Sequence, residues 1–339
     1  MSPTCPPQPP NANTPGIAII GTFTFQRVVQ VIGWICLAAT ALLCIGLCVL
    51  HFRKYRAPNE QRNVIRIILF PVVASLVSVI SIHTYQNSGY IEPIALLYET
   101  VALASLFMLY VQYVAPEPQT RVSFFKELEY KTKTGEMKPM KHYQLFRAAW
   151  IIVFTYIVVT LVLVIAEEIT RATGVYCETS SKPAFAHFWI QLFTLVATVI
   201  AVVTVVRFQR RLKSHMTGRK AMPKLLCFKL FVLITTLQHF AFSIIASHVQ
   251  GNDKITYNDI IIGLQSLLVC IEALFTQVAF FFFFHPREFG NRNQGGKLSG
   301  DEAAVPAVVG YTPTKAIIHS LNPMDLILGI GQAYGMVKF

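Results

Sequence analysis

Seven blocks of 21 to 26 residues, at 28–51, 64–85, 91–114, 148–168, 185–206, 225–248 and 259–284, are almost wholly apolar and together occupy nearly half of the 339-residue chain. About 20 apolar residues rising 1.5 Å each cross the roughly 30 Å hydrocarbon core of a bilayer. Backbone polar groups in lipid must pair within their own segment, so each block is expected to be a helix. The alternating ten-residue segments of a membrane β-barrel are absent. The expectation is an all-α, seven-transmembrane-helix bundle. Only 14% of the residues are charged, against about 25% in a soluble domain, which weighs against a water-soluble fold.

The charge that remains is unevenly placed. There are 29 Lys and Arg against 17 Asp and Glu, a net charge of +12, and in a soluble chain that would raise the question of nucleic acid. Here 23 of the basic residues lie in 52–63, 115–147, 207–224 and 285–339, whereas the alternate connections (1–27, 86–90, 169–184, 249–258) hold only 4. Basic connections stay in the cytosol. The amino terminus is therefore expected outside or in a lumen and the carboxyl terminus in the cytosol, with no nucleic-acid partner. Arg207, Arg210, Arg211, Lys213, Arg219, Lys220 and Lys224 read as a contact for anionic membrane lipids. Which membrane holds the chain, the plasma membrane or an endomembrane such as vacuole or endoplasmic reticulum, stays open at this point.

Residues 1–27 are Pro-rich and lack the basic start of a cleaved signal, so they read as a disordered outer tail ahead of an uncleaved first helix. The cytosolic tail, 285–339, holds a Gly-rich linker (Gly295, Gly296, Gly300) and then Asn322-Pro323, a helix start with Asp325 in its first turn. A short helix over about 323–334 is expected there, lying on the membrane or the bundle, or docking a partner. Of the seven cysteines only Cys5 and Cys177 fall on the oxidising side, where they could form a bridge. Cys44 and Cys48, one turn apart, read first as packing residues and second as palmitoylation sites.

A charge near the bilayer centre costs about 2.5–3.5 kcal/mol on insertion scales, so each one needs a reason. Glu272 lies mid-way along the seventh block, with Gln265 and Thr276 on its face. The sixth block carries Lys229, Thr236, His239 and Ser243 on one face. Ser75, Ser78, Ser81 and Tyr85 belong to the second block, and Tyr98 and Glu99 to the third. Simpler readings exist for several of these. Arg66 and Lys229 are close enough to the cytosolic boundary to snorkel. His239 is either packed between helices or lines a path. Glu167 and Glu168 read as an interfacial boundary, and the phenylalanines at 280–284 as lipid-facing or packing surface. Glu99 and Glu272 cannot snorkel, and are expected to line a polar path or to pair with a base.

Several classes are excluded or weakened. The seventh block has no lysine for a retinal Schiff base, and the third and seventh end in Tyr110-Val111-Gln112-Tyr113 and Phe283-Phe284-His285-Pro286, unlike the commonest G-protein-coupled receptors. No His-Glu-x-x-His, zinc-ligand spacing or Gly-rich nucleotide loop is present. No cofactor, no metal and no enzymatic activity are expected. No internal repeat marks an inverted-repeat transporter.

Several short motifs recur together in one family. They are Arg62-Asn63-Val64-Ile65-Arg66-Ile67 leading to Pro71, Tyr98-Glu99, Tyr176-Cys177-Glu178, Lys224-Leu225-Leu226-Cys227-Phe228-Lys229 with Gln238 further along the same block, Cys270-Ile271-Glu272, and Leu321-Asn322-Pro323-Met324-Asp325. In this order and spacing the chain, from about residue 28 to its end, resembles the organic solute transporter alpha group, which includes transmembrane protein 184 and plant Lazarus homologues, and most of all its fungal branch. The resemblance implies seven helices with the amino terminus outside. It also implies facilitated diffusion of amphipathic organic solutes such as sterol- or lipid-like anions, in animal members with a single-span beta subunit. Glu272, Glu99, His239, Lys229, Gln238, Gln265 and Tyr98 are the expected substrate path; Arg62, Arg66, Pro71, Cys177 and Asp325 are the expected structural positions. A homo-oligomer or a small single-span subunit is the expected protein partner. The alternative is a non-transporting membrane scaffold or signalling protein of the same family, acting through its cytosolic loops and tail.

Overall fold

The computed structural model describes residues 5–7, 9, 12, 16–131, 137–139, 142–180, 182–246, 248–289 and 313–337. In chain order the helices are α1 (Phe25–Arg53), α2 (Pro58–His83), α3 (Ser88–Val114), α4 (Arg121–Glu127), α5 (His142–Ala172), α6 (Ala186–Arg211), α7 (Ala221–Ala246), α8 (Gln265–Phe283), α9 (Pro313–Leu321) and α10 (Met324–Val337). A short antiparallel hairpin, β1 (Glu129–Lys131) with β2 (Met137–Pro139), follows α4. Among the described residues seven helices, all but α4, α9 and α10, are long and apolar enough to cross a membrane, α8 being led in by a π-helical turn at Asp259–Leu264. The chain is an integral, multi-pass, all-α membrane protein.

Helices α2 and α3 form the centre, with residues 102–114 of α3 almost entirely buried. The peripheral spans keep large apolar side chains exposed, among them Trp34, Ile35 and Leu42 on α1 and Leu161 and Val162 on α5. Lipid tails are as apolar as leucine, so this surface needs no protein cover and helix association depends on close fit instead. At Gly33 the α1 backbone lies so near α2 that a Cβ would stand 3.3 Å from Val79. Pro71 sits inside α2 and Pro93 inside α3, each removing one backbone N–H from its ladder. The short α4 pushes a fully buried Phe125 between spans, where it stacks on Phe146 at 4.4 Å and leans on Phe208 at 6.2 Å. The phenylalanine run divides by helix face: Phe280 and Phe284 are core residues, whereas Phe282 is exposed.

The Pro-rich tail, expected to be disordered, is tied down at its described residues. Thr24 caps α1 by accepting the Arg27 N–H. Ile17 N–H donates to the Asp253 carbonyl and the Asn258 amide to the Ala12 carbonyl, and a Cys5–Cys177 disulfide joins the tail to the loop after α5. On the opposite face, α9 and α10 lie against α2 and α5. Trp150 Nε1 donates to the Gly329 carbonyl at 3.0 Å, and Gly329 rests on the Phe154 ring, where a Cβ would collide. Gly295, Gly296 and Gly300 lie outside the described residues.

Arg66 does not snorkel. It is buried and makes a two-point ion pair with Asp325 at 2.8 and 2.9 Å, with the Asn322 carbonyl also accepting from it. Arg62 adds a third contact to Asp325, at 3.1 Å. The local sequence places a carboxylate at the N-terminal turn of α10, and the packing of α10 turns it towards two arginines one helical turn apart.

Candidate functional site

Six of the seven spans, all but α1, enclose a cavity of about 250 Å³. Its lining begins at the face that carries the amino terminus, with Ser88, Glu92, Arg171 and Tyr176. It ends about half-way through the bundle at Phe70, Glu99, Thr198 and Phe231. Beyond that depth an aromatic layer closes the way: Phe70 meets Phe231 at 5.1 Å, Phe228 at 5.7 Å and Tyr98 at 6.4 Å.

Charge concentrates at the mouth. Arg171 donates to Glu167 one turn before it, at 2.9 Å, pairs with Glu178 from the loop, and lies over the Tyr176 ring at 4.4 Å. Tyr176 donates to Glu167 at 2.8 Å. Burial first, and Glu167 second, push its phenol well above the ordinary range, so it remains an O–H donor. Deeper in, Glu99 is only 7% exposed and accepts one hydrogen bond, from Tyr156 at 3.2 Å, while Tyr156 shares a second with Thr198 at 2.9 Å. His239 is hydrogen-bonded to Gln265 across the α7–α8 boundary.

Of the residues expected on the path, Glu99, His239 and Gln265 line this cavity, together with Thr236 and Ser243 from the polar face of α7. Glu272, Gln238, Lys229 and Tyr98 do not. Glu272 is one turn beyond the floor residue Val269 and turns into the α7–α8 seam, where it accepts from Gln238; its Oε2 and the Gln238 Oε1 are buried without a hydrogen-bond partner among the described residues. Lys229 is half-buried and meets no carboxylate among the described residues. Tyr98 belongs to the closing layer, where it donates to the Arg66 carbonyl at 3.1 Å.

The cavity also contains residues not expected on the path: Glu92, Arg171, Glu178 and His187, and Glu167 as more than a boundary. Two signals for them were present. Glu92 precedes Glu99 by seven residues and so shares its face of α3, and Arg171 follows Glu167 by four on α5.

Below the aromatic layer, the basic face is held by ion pairs. Lys224 is fully buried, donates to both Glu288 oxygens at 2.7 Å and to Tyr113 at 2.9 Å, and Arg219 pairs with Glu60 at 3.3 Å. His51 reaches the Phe284 carbonyl at 2.7 Å. Among the described residues, no group of three or more His, Cys, Asp or Glu is placed to hold a metal ion.

Fold and cavity together define a seven-helix integral membrane protein with a deep internal cavity approached from one face. The chain belongs to the organic solute transporter Ostalpha family, whose model matches residues 29–289. It is similar to vacuole membrane protein hfl11 of Schizosaccharomyces pombe, with 25% identity over 230 residues, covering 65% of this chain and 53% of that protein. It is likewise similar to a transmembrane protein 184 homolog of Dictyostelium discoideum, with 21% identity over 75% of this chain and 52% of that protein, and to protein LAZ1 of Arabidopsis thaliana, with 23% identity over 79% and 61%. The chain therefore spans about half to three-fifths of the length of these curated relatives. No solved structure matches it.

Proposed function

We propose that this protein carries amphipathic organic solutes across its membrane by facilitated diffusion, with the cavity as the solute site. The observation that carries this reading is the one-ended cavity: a polar mouth, a floor at half depth, and then an aromatic layer and ion pairs towards the other face. Mid-membrane binding with one side closed is what a carrier needs if it is to expose a site to each face in turn. The face bearing the mouth is the lumenal or external one. The basic residues collect opposite it, and the Cys5–Cys177 disulfide on it suits an oxidising compartment. The sterol- or lipid-like body of the expected solute is matched by Phe70, Phe231 and Val269 at the floor. An anionic head would meet one guanidinium, Arg171, which Glu167 and Glu178 already share.

The test is flux through purified protein in liposomes, with a labelled steroid loaded on one side and no ion gradient. Saturable, downhill and reversible flux above that of empty liposomes is expected; flux equal to empty liposomes overturns the reading. A second reading, a membrane scaffold, is favoured by the docked tail, whose Ile317, Ile318, Leu321, Ile327 and Leu328 remain exposed. It requires that deleting 321–339 abolish function while the reconstituted protein moves nothing.

A further inference from the structure

We propose that the cavity receives its solute by a cationic head, so that its ligands are amphipathic amines rather than anions; this rests on reading the cavity as the solute site. Four carboxylates face it, from Glu92, Glu99, Glu167 and Glu178, and the one guanidinium is that of Arg171. Two imidazoles, His187 and His239, and two phenols, Tyr176 and Tyr257, complete the ionisable set of its lining. Arg171 is consumed at the mouth by Glu167 and Glu178. The two α3 carboxylates, Glu92 and Glu99, make no ion pair among the described residues.

Unpartnered polar atoms along the cavity wall point to a ligand. Glu99 is more than nine-tenths buried, and the Tyr156 hydroxyl on one of its oxygens leaves the other with no protein donor among the described residues. Ser78 and Ser266, 6% and 4% exposed, line the cavity and have no hydrogen-bond partner among the described residues. These atoms open onto the cavity, where the donors of a bound group can pair with them. An ammonium at Glu99 donates to the carboxylate oxygen left free, and Glu92, two turns nearer the mouth on the same face of α3, offers a second carboxylate along the approach. A sulfate or carboxylate placed there would meet no cation to offset its loss of water. The aromatic floor beyond then takes the apolar body, and its ring faces also favour a cation close by.

The experiment measures binding to the full chain in lipid nanodiscs with three steroids on one androstane body: a 3-amino, a 3-hydroxy and a 3-sulfate derivative. The amine is expected to bind at least tenfold tighter than the sulfate, and Glu99→Gln, with Glu92→Gln as an independent second variant, to bring the amine to within about threefold of the neutral steroid. Size-exclusion profile and melting temperature establish that each variant is folded. A sulfate bound as tightly as the amine, or an amine preference untouched by both variants, overturns the cationic head while the solute site stands. No binding by any of the three overturns the solute site and this inference with it. Amine binding without liposome flux supports the inference and overturns only the carrier.

Discussion

Arg66, on the second spanning helix, and Asp325, 259 residues further along the chain, close a two-point ion pair that pins the carboxyl-terminal helices to the basic face. The pair joins two elements that local sequence leaves independent. Breaking it by removing one partner leaves the other charge buried, a loss of about 3–5 kcal/mol for enclosed pairs. Asp325→Ala is expected to release α9 and α10, seen as faster deuterium uptake over 313–337 with the spans unchanged.

The same pair sets a pH dependence. Burial raises the Asp325 carboxyl, but the hydrogen bond and charge of Arg66, with Arg62, outweigh it and hold the group below its ordinary value of 3.8. A carboxyl whose pKa is lower when docked contributes stability that is complete above the ordinary value and is lost as pH falls through the docked one. Protease sensitivity of the tail is therefore expected to stay constant from pH 7 to 5 and to rise only below about 3.8. A rise near pH 6 would assign docking to another group.

The disulfide ties the amino-terminal segment to the loop that supplies Glu178 and Tyr176. Mass spectrometry after alkylation is expected to find Cys5 and Cys177 blocked until a reductant is added, and the other five cysteines reactive once the protein is unfolded. Cys5→Ser is expected to cost about 2–4 kcal/mol, the usual worth of a bridge closing a long loop, read as a lower melting temperature.

Two intramembrane carboxylates should separate by role. Glu99 lines the cavity, whereas Glu272 is engaged by Gln238 in the helix seam. Glu99→Gln is expected to change steroid binding or flux by about tenfold, an interaction of about 1.4 kcal/mol. Glu272→Gln is expected to change melting temperature with flux per folded molecule unaltered. Equal effects of the two on flux would return Glu272 to the path.

Closure of the basic face depends on Lys224, which is fully buried and bound to Glu288. Lys224→Met strands the Glu288 carboxylate and is expected to destabilise the protein by about 3 kcal/mol. The charge-reversed pair Lys224→Glu with Glu288→Lys should regain part of that, measured by thermal unfolding in detergent. No recovery would assign the loss to packing around Tyr113 and Phe284.

How far the sequence reaches is visible in α3 and α8. Glu99 and Glu272 looked alike in the chain, each a carboxylate deep in an apolar block. One reached the cavity and the other a seam, because burial on a given face depends on which neighbour covers it. Glu167 stood near a block end and read as a boundary residue, yet it lines the cavity together with Arg171 one turn on, and Glu92, on the α3 face that carries Glu99, lines it too. Arg66 was close enough to water to snorkel, and a helix from the far end of the chain supplied a carboxylate instead.

Span number, helical class and family membership were legible from the chain alone, since apolar length, charge count and motif order are properties of consecutive residues summed along a segment. The cavity, its floor, the closing layer and the tail clamp were decided only by tertiary structure. Each is made where side chains from helices distant in sequence converge, and no one-dimensional pattern states which faces meet. The bilayer dictates how often the chain crosses; the fit between six of those crossings decides where polar atoms are left facing an open space.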